Sequence, residues 1–149
     1  MPLVDQLLDG DEARLWHAWK KAAEMVRVRV AEQLDAATGL SDPDFGILTR
    51  LEDLGGGELR QNELASSMGW HRSRLSHQLT RMEQRGLVAR SDVPGGVLVG
   101  ITPRGRERAA AARPVHARAV RRSLTSLIPP DDAPAVLSAL EALAAQRIV

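Results

Sequence analysis

From Leu64 to Ile101 the chain spells two short helices, a tight turn and two strands, in that order. No other stretch restricts the fold as much. Leu64 and Ala65 open the first helix (roughly 61–68), Gly69 marks the turn with Trp70 and His71, and Leu75, Leu79 and Met82 anchor the second helix (about 72–85). Gly86-Leu87-Val88 ends that helix and starts a strand. Two β-rich runs, 87–91 and 97–101, enclose Asp92, Pro94, Gly95 and Gly96, which makes a hairpin with a short tip. Helix, turn, helix and hairpin make a winged helix-turn-helix, with the wing at about 87–101. A helix carried in this way fits the DNA major groove, which is wide enough to admit one.

Long helices flank this block. Over 11–38, Leu15, Trp19, Ala22, Val26 and Val30 recur at helical spacing, and Trp16, Ala23 and Leu34 widen the stripe enough to imply burial on two sides. Gly39 terminates this helix, and Asp42-Pro43 reads as an N-cap and first-turn proline opening another, to about Leu54, with Phe45, Leu48 and Leu51 inward. Glu58–Arg60 suits a small strand. Thr102-Pro103 caps a helix that the pattern carries towards Ile128, with a kink at Pro114, until Pro129-Pro130 stops it. Asp131 or Asp132 then caps a last helix, about 132–147, with a dense seam of Val136, Leu137, Leu140, Leu143 and Ala144. The fold class is therefore mainly α with a small β wing: a winged region over 42–101, with 11–38 and 103–149 forming helices for dimerisation. The flanking helices carry more apolar surface than a small reader can cover, so a second copy is the expected partner.

Composition narrows the function classes. The chain has 149 residues and no Cys, which removes disulfides, thiolate catalysis and thiol redox sensing. With no Tyr, one Phe and three Trp, the core rests on Leu, Val and Ala. Asp5 and Asp9 near the start, with no basic segment leading a long apolar run, speak against a secretory signal. No run is long enough to span a membrane, and a cytoplasmic location is expected. The overall charge is only +1, but residues 60–108 hold nine Arg against Glu63, Glu83, Asp92 and Glu107, a net +5 that leaves −4 for the rest. The positive charge coincides with the helix-turn-helix, as attraction to phosphate requires. No P-loop, G-x-S-x-G, H-E-x-x-H or dinucleotide fingerprint occurs, so no enzyme activity and no cofactor are expected. His71 and His77 lie six apart, off a common helix face and without further ligands, so no metal site is expected.

A helical wheel at about 100° per residue sorts the second helix. Leu75, Leu79 and Met82 share the inner side; Ser73, His77, Thr80 and Gln84 point outward, with Ser76 on one edge and Arg74 and Arg81 on the other. The N-terminal part of such a helix meets base edges, so Ser73, Arg74 and His77 are the expected base contacts. Arg72, Ser76 and Arg81 are the expected phosphate contacts, and Arg90, at the wing's base, is a further one. Trp70 is expected to pack and fix the angle between the two helices. Trp16, His17 and Trp19 are candidates for lining a small-molecule pocket, with interface packing as the favoured alternative.

The chain resembles the MarR (multiple antibiotic resistance regulator) family of bacterial transcription factors over nearly its whole length. The resemblance rests on Leu59-Arg60-Gln61-Asn62-Glu63-Leu64-Ala65, Met68-Gly69, Arg72-Ser73-Arg74-Leu75-Ser76, the run Arg81 to Val88, and Ile101-Thr102-Pro103-Arg104-Gly105 after the wing. It implies a two-fold dimer formed by the terminal helices, winged domains on a pseudo-palindromic operator, and usually repression. It also implies a small-molecule effector, often an aromatic acid or phenolic compound, whose identity no motif fixes. One departure stands out. The family's wing usually carries an Asp followed two residues later by an Arg that enters the minor groove; here Val93 and Gly95 hold those places, so the wing looks shortened and lacks its reader. The expected function is a sequence-specific duplex-DNA-binding regulator of transcription. The alternative is a winged-helix protein-interaction adaptor that no longer reads DNA.

Overall fold

The computed structural model describes residues 7–147. The elements follow as α1 (Gly10–Thr38), α2 (Asp42–Gly55), β1 (Glu58–Arg60), α3 (Gln61–Met68), α4 (Arg72–Gln84), β2 (Val88–Val93), β3 (Gly96–Ile101), α5 (Pro103–Ser123) and α6 (Ala133–Ala144). The fold is mainly helical, with one antiparallel sheet in the order β1-β3-β2. No helix among the described residues is long and apolar enough to cross a membrane. The chain divides into two compact units, Val30–Ala117 and the two terminal segments on either side of it.

The central unit is built on aliphatic burial. Leu34, Leu40, Ile47, Leu48, Leu51, Leu64, Leu75, Leu79, Met82, Leu87 and Val99 are fully buried. Each such side chain contributes roughly 1.5–3 kcal/mol, whereas an exposed ion pair contributes ~0–1 kcal/mol. Burial of Leu75, Leu79 and Met82 therefore decides which face of α4 turns inward.

Local chemistry sets the element ends. Ser41, one residue earlier than expected, caps α2: its hydroxyl accepts from the Asp44 N–H at 3.1 Å, and the Asp44 carboxylate accepts from the Ser41 N–H at 2.9 Å. This reciprocal box satisfies two orphan donors where Asp42 alone would satisfy one. At the α3–α4 turn, Gly69 has φ +66, and the N–H groups of Trp70 and Gly69 return to Ala65 and Ser66. That is a Schellman closure, whose left-handed position favours glycine. Thr102 caps α5, accepting from the Gly105 N–H at 3.0 Å and donating to the Gly86 carbonyl at 2.6 Å. Gly105 must lack a side chain because a Cβ there would collide with the Leu87 carbonyl oxygen. Arg113 on α5 reaches Asp53 at 2.8 Å and Glu52 at 3.5 Å on α2, and the Asp53 hydrogen bond above all raises the guanidinium pKa.

Two further expectations need correction. The helix after Thr102 stops at Ser123, and a short 3-10 turn follows at Thr125–Leu127; Ile128 is extended (φ −90, ψ 123), as a residue before proline must be. Asp132 stands at the N-cap of α6, but its side chain makes no capping bond. Within the single chain, Val30 and Leu34 of the α1 stripe are covered, whereas Leu15, Trp16 and Trp19 are 73%, 51% and 45% exposed.

Candidate nucleic-acid interface

The turn before α4 does more than change direction. His71 is the N-cap of α4, and its Nδ1 accepts from the Ser73 N–H at 3.3 Å. The Ser73 hydroxyl lies 2.9 Å from the same nitrogen. Accepting the backbone proton requires a lone pair on Nδ1, so the hydroxyl donates to it as well. Ser73 then faces outward with acceptor lone pairs. The Arg74 guanidinium stacks 3.8 Å from the centre of the Trp70 ring. Stacking occupies the face of the guanidinium and leaves its N–H edge free for a bidentate contact. Trp70 itself is half-buried against the core, as the sequence suggested for a packing residue.

Along α4 the outer surface is polar and basic. Arg72, Ser73, Arg74, His77, Thr80, Arg81 and Gln84 are exposed, and Ser76 is half-buried. Beneath them lies a chain of bonds that the wheel did not reveal. Gln78, 7% exposed on the core side, donates to Asp44 Oδ1 at 2.7 Å and accepts from Arg81 Nη2 at 2.6 Å. Arg81 therefore stands at the surface on a tether that begins in α2.

Arg90 faces inward along β2 rather than out to solvent. Its Nε donates to Glu83 Oε1 at 2.7 Å, its backbone N–H to Glu83 Oε2 at 3.1 Å, and its Nη2 to the Thr80 hydroxyl at 2.8 Å. The side chain is 21% exposed. The expected phosphate contact is thus engaged in joining the wing to α4.

The wing's strands run further towards its tip than the sequence suggested. Its strands pair from Val88↔Ile101 to Val93↔Gly96, leaving only Pro94 and Gly95 at the tip. Strand β1 lies on the far side of β3, with Arg60 opposite Leu98. Arg60 Nη1 donates to the Pro94 carbonyl at 3.0 Å. Nothing in the sequence signals that contact, because the two residues meet only through the strand order.

The geometry is that of a winged helix with a solvent-facing basic recognition helix, and known proteins agree with it. The MarR family model matches residues 40–95. AbsC from Streptomyces coelicolor, a MarR family transcriptional regulator, is 30% identical, with 93% of this chain and 95% of that one covered and a TM-score of 0.86. The chain belongs to the MarR family. Sco3205 from the same organism, a MarR family transcriptional regulator solved in complex with DNA, is 28% identical over 93% of this chain and 89% of that one, with a TM-score of 0.86. CouR from Rhodococcus jostii RHA1, solved with p-coumaroyl-CoA, shares the fold at 23% identity and a TM-score of 0.73, covering 91% and 94%. No curated protein sequence matches the chain. MarR proteins are transcriptional regulators, not enzymes.

Of the three residues considered for a small-molecule pocket, Trp19 lines a recess of about 700 Å³ in the terminal unit, with Ala22, Val26, Leu124 and Leu140. Trp16 and His17 do not line it; Lys20 Nζ lies 5.6 Å over the Trp16 ring.

Proposed function

We propose that this MarR protein binds a pseudo-palindromic operator in duplex DNA as a two-fold dimer and represses transcription by occupying it. The observation that carries the reading is the division of α4. Leu75, Gln78, Leu79 and Met82 are buried, and the exposed side presents Ser73 and Arg74 on a capped first turn and His77 one turn further on. Those side chains are offered where base edges lie when a helix enters a major groove. Arg74 suits guanine O6 and N7, and Ser73 suits an exocyclic amine. Arg72, Ser76 and Arg81 are placed to meet phosphate.

Dimerisation is supported by where apolar surface remains. Ten of the eleven exposed large hydrophobic residues among those described lie in the terminal segments; Leu54 is the exception. Helix α6 has Leu137 and Leu143 exposed and no buried residue. Surface of this kind marks an interface, and a two-fold dimer of winged helices meets a palindrome half-site by half-site. Binding then needs the two recognition helices one helical turn apart, roughly 34–36 Å. An effector lowers affinity if it binds more tightly to a dimer held at another separation.

Selection of bound duplexes from a random pool tests the whole reading. The expected product is an inverted repeat, bound less tightly as salt rises. Retention of no sequence, or of a single unrepeated half-site, would overturn it; the former outcome favours the protein-interaction adaptor.

A further inference from the structure

The hairpin tip has no cation of its own. Asp92, Val93, Pro94, Gly95 and Gly96 carry one charge, and it is negative. A tip of that composition would be repelled by a polyanion. Yet a guanidinium lies against it. Arg60 ends β1 opposite Leu98, two residues from Gly96 along β3, and donates from Nη1 to the Pro94 carbonyl at 3.0 Å. A Cβ on Gly95 would sit 3.7 Å from the same nitrogen. No ion pair joins Arg60 to a carboxylate among the described residues, whereas Arg85, Arg90, Arg106 and Arg113 are all paired.

A second observation concerns the place Arg60 occupies. It is the N-cap of α3 (φ −64, ψ 142), and its side chain makes no capping bond. Ser, Thr, Asp or Asn there would satisfy an orphan N–H, and a cation at a helix N-terminus opposes the helix dipole. The position gives up local helix stability on both counts. The side chain instead extends to the wing. Departures from local preference of this sort concentrate at functional sites.

We propose that Arg60 supplies the cation of the wing, the group through which the hairpin tip holds duplex DNA. The proposal rests on the DNA-binding reading above. One N–H of Nη1 is used by Pro94, and the remaining guanidinium donors are available to an anionic or electronegative acceptor. Two DNA acceptors share that chemistry: a backbone phosphate oxygen and the adenine N3 and thymine O2 edge of the minor groove.

The test uses the full chain and the duplex recovered by selection. Affinities of wild type, Arg60→Ser and Arg60→Lys are measured from 50 to 200 mM salt, beside thermal unfolding. Arg60→Ser removes the cation and restores a capping hydroxyl, so it should raise the melting temperature while weakening DNA binding about tenfold or more. A merely structural arginine would move both downward together, and that result would overturn the proposal. If the acceptor is phosphate, the salt slope falls by ~0.9 for each arginine lost, and Arg60→Lys restores it. If the acceptor is the groove, wild type discriminates A·T from G·C beside the half-site and Arg60→Ser does not. Unchanged affinity, slope and flank preference in Arg60→Ser, with selectivity still lost in Arg74→Ala, would sink the role of Arg60 and leave DNA reading standing. Absence of any selective binding by wild type would sink both.

Discussion

The Asp44 carboxylate and the Arg85 guanidinium, forty-one residues apart in sequence, meet at 2.6 Å between the first turn of α2 and the end of α4. The Asp44 side chain is 3% exposed and that of Arg85 40%. Both oxygens of Asp44 are engaged: Oδ2 takes Arg85 and the Ser41 N–H, and Oδ1 takes Gln78. Arg85 also donates to the Gly39 carbonyl at 3.1 Å. One carboxylate thus caps α2, clasps the end of α4 and, through Gln78, tethers Arg81 at the exposed surface of that helix.

Removing Arg85 leaves that carboxylate nearly buried without its cation. Arg85→Ala should cost towards the lower end of the ~3–5 kcal/mol typical of a broken buried pair, because the half-exposed arginine leaves an opening for water. Asp44→Ala also removes the cap of α2. The double variant should cost less than the sum, with a coupling of ~1–3 kcal/mol from urea unfolding. A coupling below ~0.5 kcal/mol would show the pair to be no better than a surface ion pair.

The Trp70 ring stacks on the Arg74 guanidinium at the exposed surface of α4. Arg74→Ala should cost ~1–3 kcal/mol at the operator and relax base preference at one position of each half-site. Arg74→Lys should not recover it, since an ammonium lacks the bidentate fork. Trp70→Leu should weaken the same preference while keeping the net charge. An unchanged preference in Arg74→Ala, read by competition between single-base operator variants, would remove Arg74 from base reading.

For Arg90 the two roles give opposite readouts. As the link between β2 and α4 it should be needed for folding: Arg90→Ala should lose ~1–3 kcal/mol, since it strips Glu83 and Thr80 of a charge-assisted partner. The salt slope of DNA binding should then stay as in wild type. A slope lower by ~0.9 per arginine, with stability unchanged, would restore the phosphate role.

These contrasts show what the sequence made legible. The helices of the winged unit were readable because Leu75, Leu79 and Met82, or Phe45, Leu48 and Leu51, repeat with helical period and are in fact buried. Gly69 and Thr102 mark element ends by local chemistry and stood where expected. Contacts at long range leave no such trace. Gln78 sits within the inner arc of α4, but nothing beside it names Asp44 as its partner. Arg60 and Pro94 meet because β1 pairs with β3 rather than β2. The exposure of Leu15, Trp16 and Trp19 marks another boundary: a hydrophobic stripe reports that something covers it, and not whether the cover belongs to the same chain.

His71 is an unusual cap, and its substitution separates helix stability from DNA contact. His71→Ala removes the acceptor for the Ser73 N–H and should cost ~0.5–2 kcal/mol, whereas Asn should retain most of it. Because His71 also orients the Ser73 hydroxyl, both variants should alter preference at the base Ser73 meets. Thermal unfolding beside operator competition checks this. Full stability in His71→Ala would remove the cap from the account.

Helix α6 gives the most direct check on the dimer. Leu137 and Leu143 are 57% and 53% exposed in the single chain, and Glu141 is the helix's only charged residue. If a second copy covers them, replacing both with Glu buries two unpaired charges and should dissociate the dimer, as measured by sedimentation equilibrium. Operator affinity should fall by far more than any single phosphate contact accounts for, because each half-site would then be bound separately. Binding to an isolated half-site should be unchanged, since neither leucine lies in the winged unit. A double variant that stays dimeric, or a wild-type chain that sediments as a monomer at micromolar concentration, would place the two-fold contact elsewhere or remove it.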